Sequence, residues 1–309
     1  MPKVSAVIPV YGEKNIERCV RSLLDQTLDD IEFIFVDDRS PDSAYEIVLG
    51  IIAEERYASL KDSIKIVRHD KNRGVAAVRR TGWEASSGDY VYHADSDDWL
   101  HLDMLRRLWE KAVEGDYDMV ECDYMETDGL GDFKRRVPYV LYKQCEDWIP
   151  HLGTASLSNK IVKRSVYENE IIWPQHPFME DYVLASQLFC YSASRYYLDE
   201  PLYYYYQNPS GMSKTRDKRV IVEGYLKQGK ILEDFFRSKG LYRKYRTRLT
   251  VYKSSAMVHA WNLPRNEFLK VFPEDRLRVL TCSAVPLKER LGILTKLLGI
   301  HGIRGKKRG

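Results

Sequence analysis

The chain has 309 residues, 44% of them apolar, enough for one large α/β domain or a domain plus an appendage and for a substantial core, so disorder is not expected. Its 48 Lys and Arg against 45 Asp and Glu leave a net charge of +3, so any charge message lies in the distribution. Asp and Glu crowd residues 84–147, whereas 283–309 carries seven Lys or Arg against Glu289 alone.

Val4 to Val10 is a β-branched run, and Ile16, Cys19, Val20, Leu23 and Leu24 follow at helical spacing, predicting strand, loop, helix. Ile31 to Val36 repeats the strand. Asp37-Asp38-Arg39-Ser40-Pro41 then reads as a turn with a Ser cap and Pro at the first helical position, before a helix with Ala44, Ile47, Val48, Ile51 and Ile52 inside. Ser63 to Val67 gives a third strand, Val75 to Ala85 a third helix, and Tyr90 to Ala94 a fourth strand running into Asp95-Ser96-Asp97-Asp98. Successive βα units predict a parallel sheet with ligands at its carboxyl edge. Beyond residue 115 the pattern predicts a strand from Tyr117 to Met125, a loop-rich insertion over 126–150, and a helix from Met179 to Cys190. A hairpin is predicted from Ser194 to Gln207, broken at Asp199-Glu200-Pro201, and then mostly helix over 217–262.

Cys19, Cys122, Cys145, Cys190 and Cys282 are odd in number and lack a C-x-x-C pair, which argues against a disulfide framework or zinc knuckle. The Met-Pro-Lys start leaves no room for a secretory signal, and no apolar run approaches the roughly 20 residues that span a bilayer. A cytoplasmic protein, free or peripheral on the inner face of the membrane, is expected.

Three carboxylates within four residues, at Asp95, Asp97 and Asp98, repel one another unless a cation intervenes. Oxygen ligands favour Mg2+ or Mn2+, which would hold a diphosphate; a solvated acidic turn that caps a helix is the competing explanation. Asp37-Asp38 offers acceptors to a pyrimidine imide N–H or to ribose, or is an ordinary turn. Asn72-Arg73-Gly74 and Arg79 supply cations and a close backbone approach, or a solvated basic face. Together the strand ends point to a nucleotide-diphosphate site.

Residues 2 to about 100 resemble the nucleotide-binding half of family 2 glycosyltransferases with the GT-A fold. The resemblance rests on Val7-Ile8-Pro9-Val10-Tyr11, Val36-Asp37-Asp38-Arg39-Ser40-Pro41-Asp42, Asn72-Arg73-Gly74 with Arg79 and Gly82, and Gly88-Asp89-Tyr90 leading to Asp95-Ser96-Asp97-Asp98-Trp99. It implies a Rossmann-like, mostly parallel sheet flanked by helices and an inverting transfer from a UDP-sugar. It also implies a nucleotide-sugar site of Pro9, Tyr11, Glu13, Asp37, Asp38, Asn72, Gly74, Arg79, Asp95 and Ser96. In it Asp38, with Asp37, binds the uracil, and Asp97, with Asp95, holds the Mn2+ or Mg2+. The chain departs from the family pattern at Gly12, where Asn is usual, at Arg39, where Gly is usual, and at Val78-Arg79-Arg80, where Ala-Arg-Asn is common.

Glu180-Asp181 resembles the family's Glu-Asp motif. An inverting displacement needs a carboxylate on the acceptor side to take the hydroxyl proton, and Asp181 is the expected base, with Glu180 as alternate or hydroxyl ligand; a capping pair at a helix start is the other explanation. Asn159-Lys160 resembles an element that precedes the acceptor region. Tyr203 to Tyr206 with Gln207, Ser210 and Ser213 resembles a loop that closes over the diphosphate, although strand tyrosines are as readily core. His176, beside two prolines, is a metal ligand, a pocket residue or a structural one.

The expected layout is a GT-A domain over 1–210, with a nucleotide-binding half (1–100) and an acceptor half (101–210), and a helical region over 211–309. Leu287, Leu291, Leu294, Leu297, Leu298 and Ile303 alternate with cations, so 286–309 forms an amphipathic basic tail that either meets a membrane surface or packs on its own domain. The expected activity is hexosyl or N-acetylhexosaminyl transfer from a UDP-sugar donor to a glycan or lipid-linked acceptor in cell-surface polysaccharide synthesis, by a monomer or oligomer. A nucleotidyltransferase lacks its Gly-rich phosphate loop here. A non-catalytic nucleotide-sugar or glycan-binding protein of the same fold is the alternative that Asp97 and Asp181 argue against, and no nucleic-acid motif accompanies the basic helices.

Overall fold

The computed structural model describes residues 1–13, 16–129, 133–137, 156–209 and 217–300. The chain divides into two compact units, Met1–Gly211 and Met212–Gly309.

The first unit opens with β1 (Val4–Val10), α1 (Ile16–Leu24), β2 (Ile31–Asp37), α2 (Ala44–Ile52), β3 (Ile64–Arg68), α3 (Val75–Ala85) and β4 (Tyr90–His93). Then follow β5 (Trp99–Leu100), α4 (Met104–Glu114), β6 (Met119–Thr127), β7 (Phe133–Val137), β8 (Lys160–Lys163), α5 (Arg164–Tyr167), α6 (Glu180–Tyr191) and β9 (Arg195–Tyr206). Among the described residues one sheet runs in the order β3-β2-β1-β4-β8-β6-β9-β5, with β7 beside β6. β1 pairs in parallel with β2 and β4, and β2 with β3. β8 enters antiparallel to both β4 and β6.

The Val- and Ile-rich composition of β1 and β2 follows from burial on both faces, since helices cover each side. On one side Ile8, Val10, Ile16, Val20, Leu23, Phe33 and Phe35 form a continuous core; on the other Val7, Ile34, Val36, Val78, Val91, Leu184 and Leu188 do. Gly82 lets α3 lie directly on β1, because a Cβ there would stand 2.1 Å from Val7 Cγ1.

Three expectations differ in detail. Within 194–207, Arg195–Tyr206 is one twelve-residue strand rather than a hairpin, lying parallel to β6. Its register shifts beside Cys122 and Asp123, so Asp199 and Glu200 sit in a bulge, ion-paired to Arg136 and Arg107. The helix after the Asp37-Asp38 turn begins at Ala44, beyond Pro41, because Ser40 is engaged elsewhere: its N–H donates to Asp37 and its hydroxyl to Val10 O. Part of the expected insertion, Phe133–Val137, is strand paired with β6; the rest of 130–155, with Cys145, lies outside the described residues apart from that strand.

The second unit holds α7 (Lys218–Ser238), α8 (Tyr242–His259), α9 (Arg265–Phe268), α10 (Arg276–Thr281) and α11 (Leu287–Leu298). Ile221, Tyr225, Leu232, Phe235 and Phe236 of α7 are buried, as are Tyr245, Leu249 and Met257 of α8. Lys253 is buried between the carboxylates of Glu233 and Asp275, so its charge is paired. No helix among the described residues is long and apolar enough to cross a membrane.

Candidate functional site

The parallel strands β1, β2 and β4 end on one edge, and each hands the chain to a polar turn. Pro9 is buried within β1, whereas Tyr11 just beyond is 45% exposed. Gly12 and Arg39 both take the left-handed backbone conformation, at φ 62°. The departures from the family pattern at these two positions therefore fall where Gly and Asn are the residues that tolerate the backbone best. Arg80, the third departure, is on the solvent face of α3, paired with Glu84 at 2.8 Å.

Asp37 and Asp38 are both buried. Asp37 accepts from Ser40 N at 2.9 Å and faces Arg68 Nε at 2.7 Å. Asp38 Oδ1 accepts from Arg73 N at 2.8 Å and lies 2.6 Å from His69 Nδ1, and Oδ2 accepts from Gly74 N at 2.8 Å. Asp38 thus fixes the Asn72-Arg73-Gly74 loop, whose turn is reinforced by Asn72 Oδ1 accepting from Gly74 N at 3.1 Å and by the positive φ (86°) of Gly74. A carboxylate offers about four lone-pair sites. Three are in use.

The centre of the site is Arg79. Its side chain is only 3% exposed and pairs through Nη1 with Glu180 and through Nη2 with Asp95, at 2.8 Å. Asp95 Oδ2 accepts from the buried Ser158 hydroxyl at 2.6 Å. Glu180 and Asp181 form the first turn of α6, entered through Met179 in a left-handed conformation (φ 62°). Trp83 supports the same region, stacked on Tyr167 and Trp173 at 6.2 and 6.0 Å between ring centroids. One guanidinium here faces three carboxylates. Burial raises the affinity of Glu180 for a proton against the pull of Arg79. Asp181 is pushed up by burial and by Glu180, with Arg79 opposing.

The acidic run itself is divided. Asp98 is buried, accepting from the Tyr203 hydroxyl and from Tyr206 N at 2.6 Å, so it anchors β9 instead of starting a helix, and Trp99-Leu100 pair with Tyr204 and Tyr203 as β5. Burial and its acidic neighbours hold Asp98 well above the usual carboxylate range. Asp97 is half-buried and accepts from Asn208 Nδ2 at 3.2 Å; the same amide lies 3.5 Å from Glu13 Oε2. Burial and Asp95 raise Asp97 to about 6. Ser96 sits half-buried between Asp95 and Asp97.

Among the described residues no group of three or more His, Cys, Asp or Glu is arranged to enclose a metal. Mg2+ and Mn2+ are commonly held by one or two carboxylates with substrate phosphates completing the sphere, and Asp97, which pairs with no cation among the described residues, suits that mode. Asp95, with an oxygen on Arg79 and the other on Ser158, is the less available of the two.

The structure therefore brings Arg79, Asp95, Glu180 and Asp181 into one cluster, Asp38 with Asn72 and Gly74 into a second, and Asp97 with Glu13 into a third. Asn159 and Lys160 serve the sheet: Asn159 Nδ2 donates to Cys122 O at 2.6 Å, and Lys160 is buried 3.2 Å from Glu121. Tyr203 to Tyr206 belong to β9, and Ser210 and Ser213 lie outside the described residues. His176 Nδ1 accepts from Phe178 N at 3.2 Å in the turn before α6. The sequence marks Ser158 and Asn208 only by adjacency to Asn159-Lys160 and to Gln207. Cys19, whose thiol points at Asp95 O at 3.4 Å, also escaped notice as a support for the acidic run.

The family model described as glycosyl transferase family 2 matches residues 5–170. EpsJ of Bacillus subtilis strain 168, an uncharacterized glycosyltransferase, is 30% identical over 266 residues, spanning 82% of this chain and 75% of EpsJ. The crystal structure of S. aureus TarS 1-349 in complex with UDP-GlcNAc is similar with a TM-score of 0.59 at 19% identity, over 96% of this chain and 92% of that one. The mannosyltransferase PcManGT from Pyrobaculum calidifontis, in complex with GDP-Man and Mn2+, gives 0.55 at 14% identity over 97% and 87%. The structural likenesses show the fold, which is the GT-A architecture anticipated from the motifs. With the strand-end carboxylates in the family's order and the family model spanning more than half of the sequence, this chain belongs to glycosyl transferase family 2 and is a glycosyltransferase.

Proposed function

We propose that the protein moves a hexosyl or N-acetylhexosaminyl group from a UDP-sugar to a hydroxyl of a glycan or lipid-linked acceptor in surface-polysaccharide synthesis, inverting the anomeric carbon. The observation that carries this reading is Arg79, which holds Asp95 of the donor-side motif and Glu180 of the acceptor-side pair in one ion-paired cluster. TarS in complex with UDP-GlcNAc supports a uridine donor by likeness of fold.

In this reading the remaining lone pair of Asp38 receives the uracil imide N–H, Asn72 and Gly74 border the ribose and diphosphate, and Tyr11 and Glu13 line the mouth with Pro9 buried behind them. Bound Mn2+ or Mg2+, held by Asp97 beside Asp95 and by diphosphate oxygens, would neutralise the charge of the departing UDP. Glu180 is fixed by Arg79, which leaves Asp181 as the general base. The acceptor oxygen bonds to the anomeric carbon on the face opposite UDP, its proton passes to Asp181, and the electron pair of the broken carbon–oxygen bond leaves with UDP.

Calorimetric titration with UDP, with and without Mn2+, followed by hydrolysis of a panel of UDP-sugars, tests the donor site. Metal-enhanced UDP binding and turnover of at least one donor are expected. Absence of nucleotide binding under either condition overturns the reading.

A further inference from the structure

Within the C-terminal unit, α11 is packed with its apolar side outward. It buries Ile293 and sets Gly292 against the Trp261 ring, where a Cβ would stand 3.0 Å from Cζ3. Two of its cations are turned to neighbouring main chain: Lys296 Nζ donates to Leu263 O at 2.9 Å and Arg290 Nη1 to Leu280 O at 3.4 Å. The helix end is tied down as well, with Arg265 Nη2 donating to Leu297 O at 2.5 Å and Gly299 closing the helix at φ 75°. What faces outward is Leu287, Leu291, Leu294 and Leu298, from 38 to 62% exposed, at spacings of four, three and four that place them in one stripe. Ile300 just beyond is exposed too, as is Leu277 on α10, the helix packed against α11.

Such a stripe calls for a cover. In composition, 301–309 offers little apolar material to match such a stripe, with one large apolar residue, Ile303, against four cations, Arg304, Lys306, Lys307 and Arg308. A second copy would bring an equally basic segment, since 283–309 holds seven Lys or Arg against Glu289, and like charges would face each other. An anionic lipid surface satisfies both features at once, because it takes up leucine side chains at the acyl boundary and attracts cations to its headgroups. We propose that α11 docks the protein on an anionic membrane surface by inserting its leucine stripe, the basic composition of 283–309 favouring anionic over neutral lipid.

The test is co-sedimentation of the full chain with vesicles of phosphatidylcholine mixed with phosphatidylglycerol, compared with phosphatidylcholine alone; it involves no sugar transfer. Binding to the mixed vesicles is expected, weakened roughly tenfold or more in a Leu291→Gln, Leu294→Gln double variant. A Leu291→Trp variant is expected to shift its emission to the blue when vesicles are added. Both sites are exposed, so melting by circular dichroism should match the parent chain. Absence of vesicle binding overturns the proposal. So does binding that salt abolishes while the leucine variants leave it unchanged, which would assign it to charge alone. A concentration-dependent dimer dispersed by the same variants, without vesicle binding, would overturn it in favour of a second copy.

Discussion

Arg79 is ion-paired with Glu180 across 101 residues of sequence, joining the helix that follows the third strand to the first turn of the helix that carries the expected base. Since the other arm of the same guanidinium holds Asp95, a shift of either carboxylate is transmitted to its counterpart.

Replacing Arg79 by Met should leave three carboxylates facing one another. Loss of one partner from a buried ion pair costs about 3–5 kcal/mol, so a fall in melting temperature is expected. Because Arg79 pulls Asp181 downward, its removal should also move the acidic limb of the pH–rate profile to higher pH. Arg79→Lys, which keeps the charge but not the two-armed geometry, should restore the position of the limb better than the rate.

Asp181 must be ionised to accept a proton. With burial and Glu180 raising its proton affinity, transfer should climb with pH over a range above that of an ordinary Asp and then level off. Asp181→Asn should lower kcat by about 10²–10⁴-fold while leaving the UDP dissociation constant within a few-fold of the parent. An unchanged rate would remove Asp181 from the role of base.

Asp97 carries a raised proton affinity, about 6 against 3.8 for an ordinary Asp. Between those values the folded protein binds more protons than the unfolded chain, so stability falls as pH rises through this window. Asp97→Asn should therefore stabilise the metal-free protein at pH 8 by about 1 kcal/mol after solvent screening, read from thermal melts, while abolishing Mn2+-dependent UDP binding. Mn2+ with UDP should raise the melting temperature of the parent chain and not of the variant.

Arg39 occupies a left-handed backbone position that costs an L-residue about 1–2 kcal/mol. Arg39→Gly removes that strain but adds freedom to the unfolded chain, for a net gain of about 0.5 kcal/mol. Arg39→Val should destabilise clearly, since a β-branched side chain tolerates this conformation least. Chemical denaturation of the three proteins checks the order.

The alternation of Val- and Ile-rich strands with amphipathic helices made β1 to β4 legible, because buried parallel strands are near-continuous apolar runs. It also made the strand-end carboxylates legible as a convergent set. What escaped was long-range. Ser158 reaches Asp95 only because β8 inserts antiparallel beside β4, and nothing near Ser158 in the sequence announces that pairing. Asp199-Glu200-Pro201 looked like a turn because local composition cannot reveal that β6 supplies a ladder through a bulge. The same distance hid the division of labour at Asp98, whose partners Tyr203 and Tyr206 lie 105 and 108 residues away.

That division gives the acidic run a mechanical character. Asp95 is clamped backward to Arg79 and Ser158, and Asp98 is clamped forward to β9, so Ser96 and Asp97 span two fixed supports like a short plank. The backbone freedom of Asp97 is surrendered when the chain folds rather than when a ligand arrives. Binding at that carboxylate should then carry little ordering entropy, and any substitution that loosens one support, even Tyr203 on the far side of the plank, should weaken binding by restoring that motion.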